Sequence, residues 1–528
     1  MAGLYENARS TTGTSTRVKD VSPVSGMCPI CIRDCPVLCE ISKSAFRGRE
    51  VLYPSPEYFG CSTSAANKDF FMDWSYFQIL VDVIGAKGIE ADSDRALFEN
   101  VDVRTKVGGV PIKIPVLIAG LGSTAVAKQN WESLAMGCAL SGTIMTVGEN
   151  VCGMDMQSKY TNGKIQHSPD MKFRIESYRK YWDGKHGDIV VQTNVEDQRG
   201  GVDVYNLSKL EVNIIERKWG QGAKAIGGEV RISDLSKAQK LKQRGYVVLP
   251  DPEDKEVIEA FKAGSFKTFE RHSRVGFPEF KGFVEDIEWL RDQGAEKVFL
   301  KTGAYRPEVV AFTLKCASEA KINNLTFDGA GGGTGMSPVP MMQECSTPTV
   351  YLQAQVLKCI ELLKKKGKHI PDIAMAGGFV NETQIFKSIA MGAPYVKAVA
   401  MARAPITAAM KSDYFAELAE QKKLPKKFAE EYGENPEKFF MIASHLKDKY
   451  PGVKLGKDIP WGAVGIYTYF TERIGIGLKQ LMAGVRKWKL NLIDREDLAS
   501  LTTRASEVTG IPLIDEIEKE KMEQILGS

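Results

Sequence analysis

Long apolar runs are missing from this chain. No stretch approaches 18 uncharged apolar residues, so a membrane-spanning helix is not expected. The opening segment, Met1 to Val21, is rich in Ser, Thr and Gly and holds no apolar core; a secretory signal is not expected either, and the cytoplasm is the expected compartment. An excess of one charge is also missing. Lys and Arg number 70 against 66 Asp and Glu, a net charge of +4, which gives no reason to expect nucleic acid as a partner. Gly-Lys-Ser and Gly-Lys-Thr do not occur anywhere, which excludes a P-loop.

What remains is an ordinary globular composition. Of 528 residues, 43% are hydrophobic and 26% charged, enough to bury a large core. From Ile114 to Ala404 short apolar runs alternate with helical patterns, the signature of parallel strands with crossover helices. Eight candidate strands stand at 115–119, 143–148, 188–193, 212–218, 297–302, 324–329, 372–377 and 395–400. Eight βα units over this length predict a (β/α)8 TIM-type barrel. The expected domains are an N-terminal extension over 1–108, the barrel over 109–410 and a helical extension over 411–528. The apolar stretch 460–489 carries Glu472, Arg473 and Lys479 and reads as core or interface packing.

Long connections at 149–187 and 219–296 follow the second and fourth strands, on the face where such barrels build active sites. The densest glycine run, Asp328-Gly-Ala-Gly-Gly-Gly-Thr-Gly-Met-Ser-Pro338, fails the dinucleotide pattern because Thr334 stands at its third glycine position. Glycines there let the backbone approach a flat ligand closely. Ala376-Gly377-Gly378 ends the seventh strand and Ala400-Met401 lies at the end of the eighth, the positions at which many barrels bind a phosphate. Tight turns are the plain alternative for any one of these loops; three together point to a phosphate-bearing cofactor.

Four cysteines, Cys28, Cys31, Cys35 and Cys39, fall within twelve residues. Iron–sulfur clusters are held by four thiolates in similarly close runs. A zinc ribbon separates its two pairs by about a dozen residues or more, which disfavours zinc without removing it, and unligated thiols are the third reading. A [4Fe–4S] cluster is the expectation, with Cys61 as an alternative ligand.

At these residues the sequence resembles the FMN-binding synthase domain of the glutamate synthase family. That family reads approximately GHDGGTGASP where this chain has residues 328–338, and NTGEGGE where it has Met145-Thr-Val-Gly-Glu-Asn-Val-Cys-Gly153. Its IKIAQGAKPGEGG is similar to Ile215 through Gly228, its PPPHHDI to Phe269-Glu-Arg-His-Ser-Arg274, and its VSVKLV to Val298 through Thr302. The resemblance runs in order over 110–405.

The resemblance implies FMN on the C-terminal face of the barrel. The phosphate falls to Gly377, Gly378, Ala400 and Met401, and the ribityl chain and ring to Gly331, Gly332, Gly333 and Thr334. Ser123, Thr146 and Gln192 complete the expected cofactor set, with Gln192 at the pyrimidine edge. Lys301, at the end of the fifth strand, would place a cation beside the flavin. Glu149 and Lys224 match family positions near the 2-oxoglutarate and imine site, and His272 or Arg274 are candidates for a substrate carboxylate. Surface or structural ion pairs are the plain alternative for each.

Several family parts are not matched. Residues 403–410 replace the family's cysteine triplet after the eighth strand, and no glutaminase or C-terminal β-helix portion is matched. The expected function is therefore an FMN and iron–sulfur oxidoreductase that reduces an imine formed from a 2-oxo acid, such as 2-oxoglutarate, and ammonia or an amine. A flavin enzyme for another small acid, or an electron-transfer subunit with no substrate of its own, are the alternatives. Expected partners are the small acid and an electron donor such as ferredoxin or a reductase subunit, with a homo-oligomer also open.

Overall fold

The computed structural model describes residues 31–37, 39–48, 66, 68–223, 226–227, 229–276, 278–333 and 338–527. Eight parallel strands close into a barrel in sequence order: β1 (Val116–Leu121), β2 (Met145–Val147), β3 (Ile189–Thr193), β4 (Ile214–Lys218), β5 (Lys297–Thr302), β6 (Asn324–Asp328), β7 (Asp372–Ala376) and β8 (Val396–Met401). Every predicted strand is present, and β8 pairs back onto β1 with Val399 opposite Val116. A crossover helix follows each strand: α1 (Trp131–Leu140), α2 (Pro169–Arg179), α3 (Val202–Lys209), α4 (Phe280–Asp292), α5 (Pro307–Glu319), α6 (Thr349–Lys365), α7 (Glu382–Gly392) and α8 (Arg403–Glu420).

Local chemistry sets these boundaries. Asn381 caps α7 through a box in which its side chain accepts from the Gln384 N–H and Gln384 returns an acceptor to the Asn381 N–H. Lys364 and Lys365 sit in the last turn of α6, where the helix dipole favours cations.

Strand alternation sorts the barrel into two cores. Val116, Ile118, Val191, Leu300 and Met375 face outward and pack under the helices. Leu117, Val190, Ile214, Phe299, Ala374 and Ala398 face inward. The lower end of the barrel is plugged by a hairpin of Thr105–Val107 and Val110–Ile112, whose Val107 and Ile112 join the inner core. Gly108 must be glycine there: φ is +56°, and a Cβ would stand 2.4 Å from the Phe299 ring.

Higher up, the inner face turns polar, with Thr146, Gln192, Glu216, Lys301 and Thr326 all buried. The long connection after β4 builds a three-stranded antiparallel sheet, with Phe269–His272 between Glu229–Ile232 and Val247–Leu249.

The C-terminal residues pack directly on the barrel. Helix α8 runs unbroken across positions 410 and 411. Its Asp413 accepts from Ser133 Oγ on α1 at 3.0 Å and from the Gly462 N–H at 2.6 Å. Helix Trp461–Thr468 lies so close to α1 that a Cβ on Gly137 would meet Ile466 at 2.7 Å. The stretch 460–489 is core packing, as expected: Ile466, Phe470, Leu478 and Trp488 belong to the main core. Further on, Leu498–Ser500 pairs antiparallel with Phe77–Ile79. Among the described residues no helix is long and apolar enough to cross a membrane.

Candidate functional site

A cavity of about 530 Å³ opens at the C-terminal ends of the barrel strands, within the size range of small-molecule sites. Its lining collects residues far apart in sequence: Ser123, Glu149, Lys218, Lys301, Asp328, Gly331, Gly332, Gly333, Gly377, Gly378, Ala400 and Met401. The expected site residues are thus brought together, with exceptions. Lys224 and Thr334 lie outside the described residues, as do Cys28 and Cys61. Thr146 and Gln192 do not line the cavity; they are buried on the inner barrel face. Gln192 lies directly against cavity-lining Gly120, where an added Cβ would come 2.8 Å from Gln192 Oε1.

The cavity is strongly polar at its floor. Lys301 is 5% exposed and its Nζ stands 3.1 Å from Asp328 Oδ2. Burial alone would pull its pKa down, but Asp328 and Glu216 together hold it above the usual lysine value, so the ammonium is charged. Lys218, ending β4, donates to Glu149 Oε1 at 2.7 Å and to Gln221 Oε1 at 2.8 Å. Burial would raise the Glu149 carboxyl, yet Lys218 keeps it below the ordinary range. Gln192 Nε2 donates to Glu216 Oε1 at 2.6 Å, while Gln192 Oε1 is buried with no partner among the described residues.

The opposite rim is built for an anion. Helix α8 starts at the cavity with no side-chain cap, so its first backbone N–H groups are open to a ligand. Arg403 lies at that start and lines the cavity; among the described residues no carboxylate pairs with it. Gly377 and Gly378 adopt φ of +114° and +92°, and their loop packs against Gly331. Leu121, Val126, Phe379, Ile406 and Tyr469 supply apolar walls, and the Tyr469 hydroxyl is held by Val380 O.

These features suit a flat, phosphate-bearing group: an anion cradle on one side, apolar walls, a buried cation and an orphaned amide oxygen beneath. Lys218, Asp328, Arg403 and Tyr469 were not among the predicted site residues. Lys218 ends Ile214-Ile-Glu-Arg-Lys218, where Glu216 and Arg217 mask the signal that Lys301 gives after the apolar run Val298-Phe-Leu300. Tyr469 has no local signal, because a π-helical turn, Tyr469–Gly475, delivers it from the C-terminal region.

Two predicted carboxylate ligands are spoken for. Arg274 pairs with Glu196 at 3.1 Å. His272 stands 3.3 Å from Glu229 and 3.2 Å from Glu270, which raise its pKa to about 9. Neither lines the main cavity. As for the cysteines, Cys31 is exposed and Cys35 and Cys39 half-buried. Among the described residues no three His, Cys, Asp or Glu side chains form a metal-holding group; as placed, these three thiols do not fit a shared cluster. The Ser42 hydroxyl, 3.5 Å from Cys39 Sγ, lowers that thiol's pKa and favours its thiolate.

Residues 274–410 match the family model described as the conserved region in glutamate synthase. A glutamate synthase large subunit-like protein of Rhizobium meliloti (strain 1021) is 23% identical over 414 residues, covering 76% of this chain and 78% of that protein. Among solved structures, a flavocytochrome b2 mutant with benzoylformate covers 86% of this chain and 81% of its own, at 13% identity and a TM-score of 0.45. An oxidised active mutant of (S)-mandelate dehydrogenase covers 81% and 88%, at 15% identity and 0.43. The barrel itself rests on the strand pairing above. Over residues 274–410, which include its second half-barrel, the chain is similar to the conserved region of glutamate synthase.

Proposed function

We propose that this protein is an FMN-dependent oxidoreductase that acts on a small oxo or amino acid, reducing an imine formed from a 2-oxo acid and ammonia or an amine. The observation that carries this reading is the pairing, in one cavity, of an uncapped helix start beside two positive-φ glycines with a buried, charged Lys301. FMN would be held at its phosphate by the α8 N–H groups, Arg403 and the Gly377–Gly378 loop, and at its ring by Lys301 and Gln192. When bound, it supplies two-electron hydride chemistry. Lys301 stabilises negative charge on the ring, because its ammonium is preorganised and buried. Gln192 lies behind cavity-lining Gly120, and its Oε1 would serve a ring N–H that reaches past that glycine. Glu149, held ionised by Lys218, orients a substrate amine without donating a proton to it.

A protein electron donor of the ferredoxin or reductase class belongs to the same proposal, supported by the large-subunit name of the Rhizobium relative. The reading is tested by the flavin released on denaturation and by anaerobic reoxidation of the reduced protein. FMN with reoxidation by a 2-oxo acid plus an amine is the expected result. FAD, or no flavin after supplementation, overturns it. FMN that exchanges electrons with a protein carrier but with no acid would instead establish an electron-transfer subunit.

A further inference from the structure

Arg271 is the one strongly basic residue of the cavity lining that is both buried and without a carboxylate partner among the described residues. It is 1% exposed. It sits on the middle strand of the antiparallel sheet, with Val230 opposite it on one side and Val248 on the other, so its backbone is fixed from both edges. Its Nη1 is held by Ser273 Oγ and its guanidinium lies over the Tyr246 ring, 5.1 Å from the centroid. Its Nε has no hydrogen-bond partner among the described residues.

The other buried cations are committed. Lys301 is matched by Asp328 and Lys218 by Glu149. Glu229, which also lines the cavity, is engaged by His272. A buried guanidinium with no counter-ion beside it is costly and persists where a ligand completes it. The sheet that carries it is inserted after β4 and, among the described residues, is bonded to the loops after β2 and β3, with Tyr246 and Ser273 on Asn150 and Arg274 on Glu196, not to β8 or the anion cradle of α8. The cofactor phosphate is therefore served elsewhere, and a planar, two-oxygen anion suits the arginine fork.

We propose that Arg271 is the carboxylate anchor of the substrate: it receives the carboxylate of a small 2-oxo acid under the antiparallel sheet, with Ser273 and Tyr246 holding the guanidinium in place. This rests on reading the cavity as a flavin site for small acids, and it assigns recognition to Arg271 in place of His272 and Arg274.

The test is calorimetric titration of the FMN-loaded protein with pyruvate, 2-oxoglutarate and the uncharged pyruvamide, in wild type, Arg271→Gln and Arg271→Lys. Wild type should bind an acid at least tenfold more tightly than the amide. Arg271→Gln should weaken the acid at least tenfold and leave amide binding and FMN content unchanged, with Arg271→Lys between the two. Equal affinity for acid and amide in wild type overturns the proposal, as does unchanged acid affinity in Arg271→Gln or no binding of any acid. Should Arg271→Gln fail to fold, the acid-to-amide ratio and Arg271→Lys decide alone. A protein that holds no FMN but binds acid through Arg271 breaks the flavin reading only; one that holds FMN but ignores the substitution breaks this proposal only.

Discussion

Removing the ammonium of Lys301 should strip the cavity of its best-placed cation and leave Asp328, 3.1 Å away, as a bare negative charge. Both changes disfavour electrons on a bound flavin. Lys301→Met should therefore lower its reduction potential. A loss of about 1–3 kcal/mol corresponds to a drop of tens to about a hundred millivolts for a one-electron step. Potentiometric titration of wild type and variant checks this, and an unchanged potential removes Lys301 from the ring. Asp197 provides a second single-residue test. It is buried and accepts the Asn150 backbone N–H at 2.9 Å, and burial pushes its pKa up to about 7. Between the ordinary carboxylate value and about pH 7 the folded protein keeps a proton that the unfolded chain has released, so this group makes the fold less stable as pH rises. Asp197→Asn should flatten that slope. Thermal melts from pH 4 to pH 8 measure it, and an identical pH dependence in the variant would show that Asp197 ionises normally.

At the scale of elements, the loop after β7 makes the sharpest demand. Gly378 has φ of +92°, and a Cβ there would sit 3.4 Å from Gly331 O. A β-branched residue is strained in that conformation and would fill the phosphate approach, so Gly378→Val should abolish FMN retention, read as flavin per chain after gel filtration. Most strands were legible because they are short, buried runs built on apolar residues, Ile189–Thr193 being typical. The inserted sheet was not. Its strands are three or four residues long and two of the three carry charge, as in Phe269-Glu-Arg-His272, so neither periodicity nor length announces them. Without the strand register, nothing in Arg271-His272-Ser273-Arg274 tells which basic residue reaches the cavity, and it is Arg271 that lines it, not His272 or Arg274. The cysteine run poses the opposite problem, a clear spacing whose described members are not brought together. If Cys28, Cys31, Cys35 and Cys39 nonetheless take up a cluster, anaerobic protein should contain about four irons per chain. Cys39→Ser should then lose them while flavin content stays; stoichiometric zinc would refute the assignment.

For the molecule as a whole, the question is whether the C-terminal residues are an appendage or part of the barrel's own core. Phe470 is fully buried within the main cluster that also holds Ile118 and Met375 of the strands. Its neighbour Tyr469 lines the cavity and is tied to Val380 O, just past β7. One short segment therefore joins core packing to the site. Phe470→Ala should cost about 3–5 kcal/mol, the usual range for a buried phenylalanine, and should also loosen the wall that Tyr469 provides. Thermal unfolding followed by far-UV circular dichroism and by the rise of released-flavin fluorescence should then show both transitions shifted down together. Were the C-terminal region an independent unit, the substitution would split the melt, and the flavin transition would stay at its wild-type temperature. A shared shift is expected because Leu498–Ser500 returns to pair with Phe77–Ile79 and Ile466 packs on α1 at Gly137, so loosening the C-terminal layer exposes barrel surface at once.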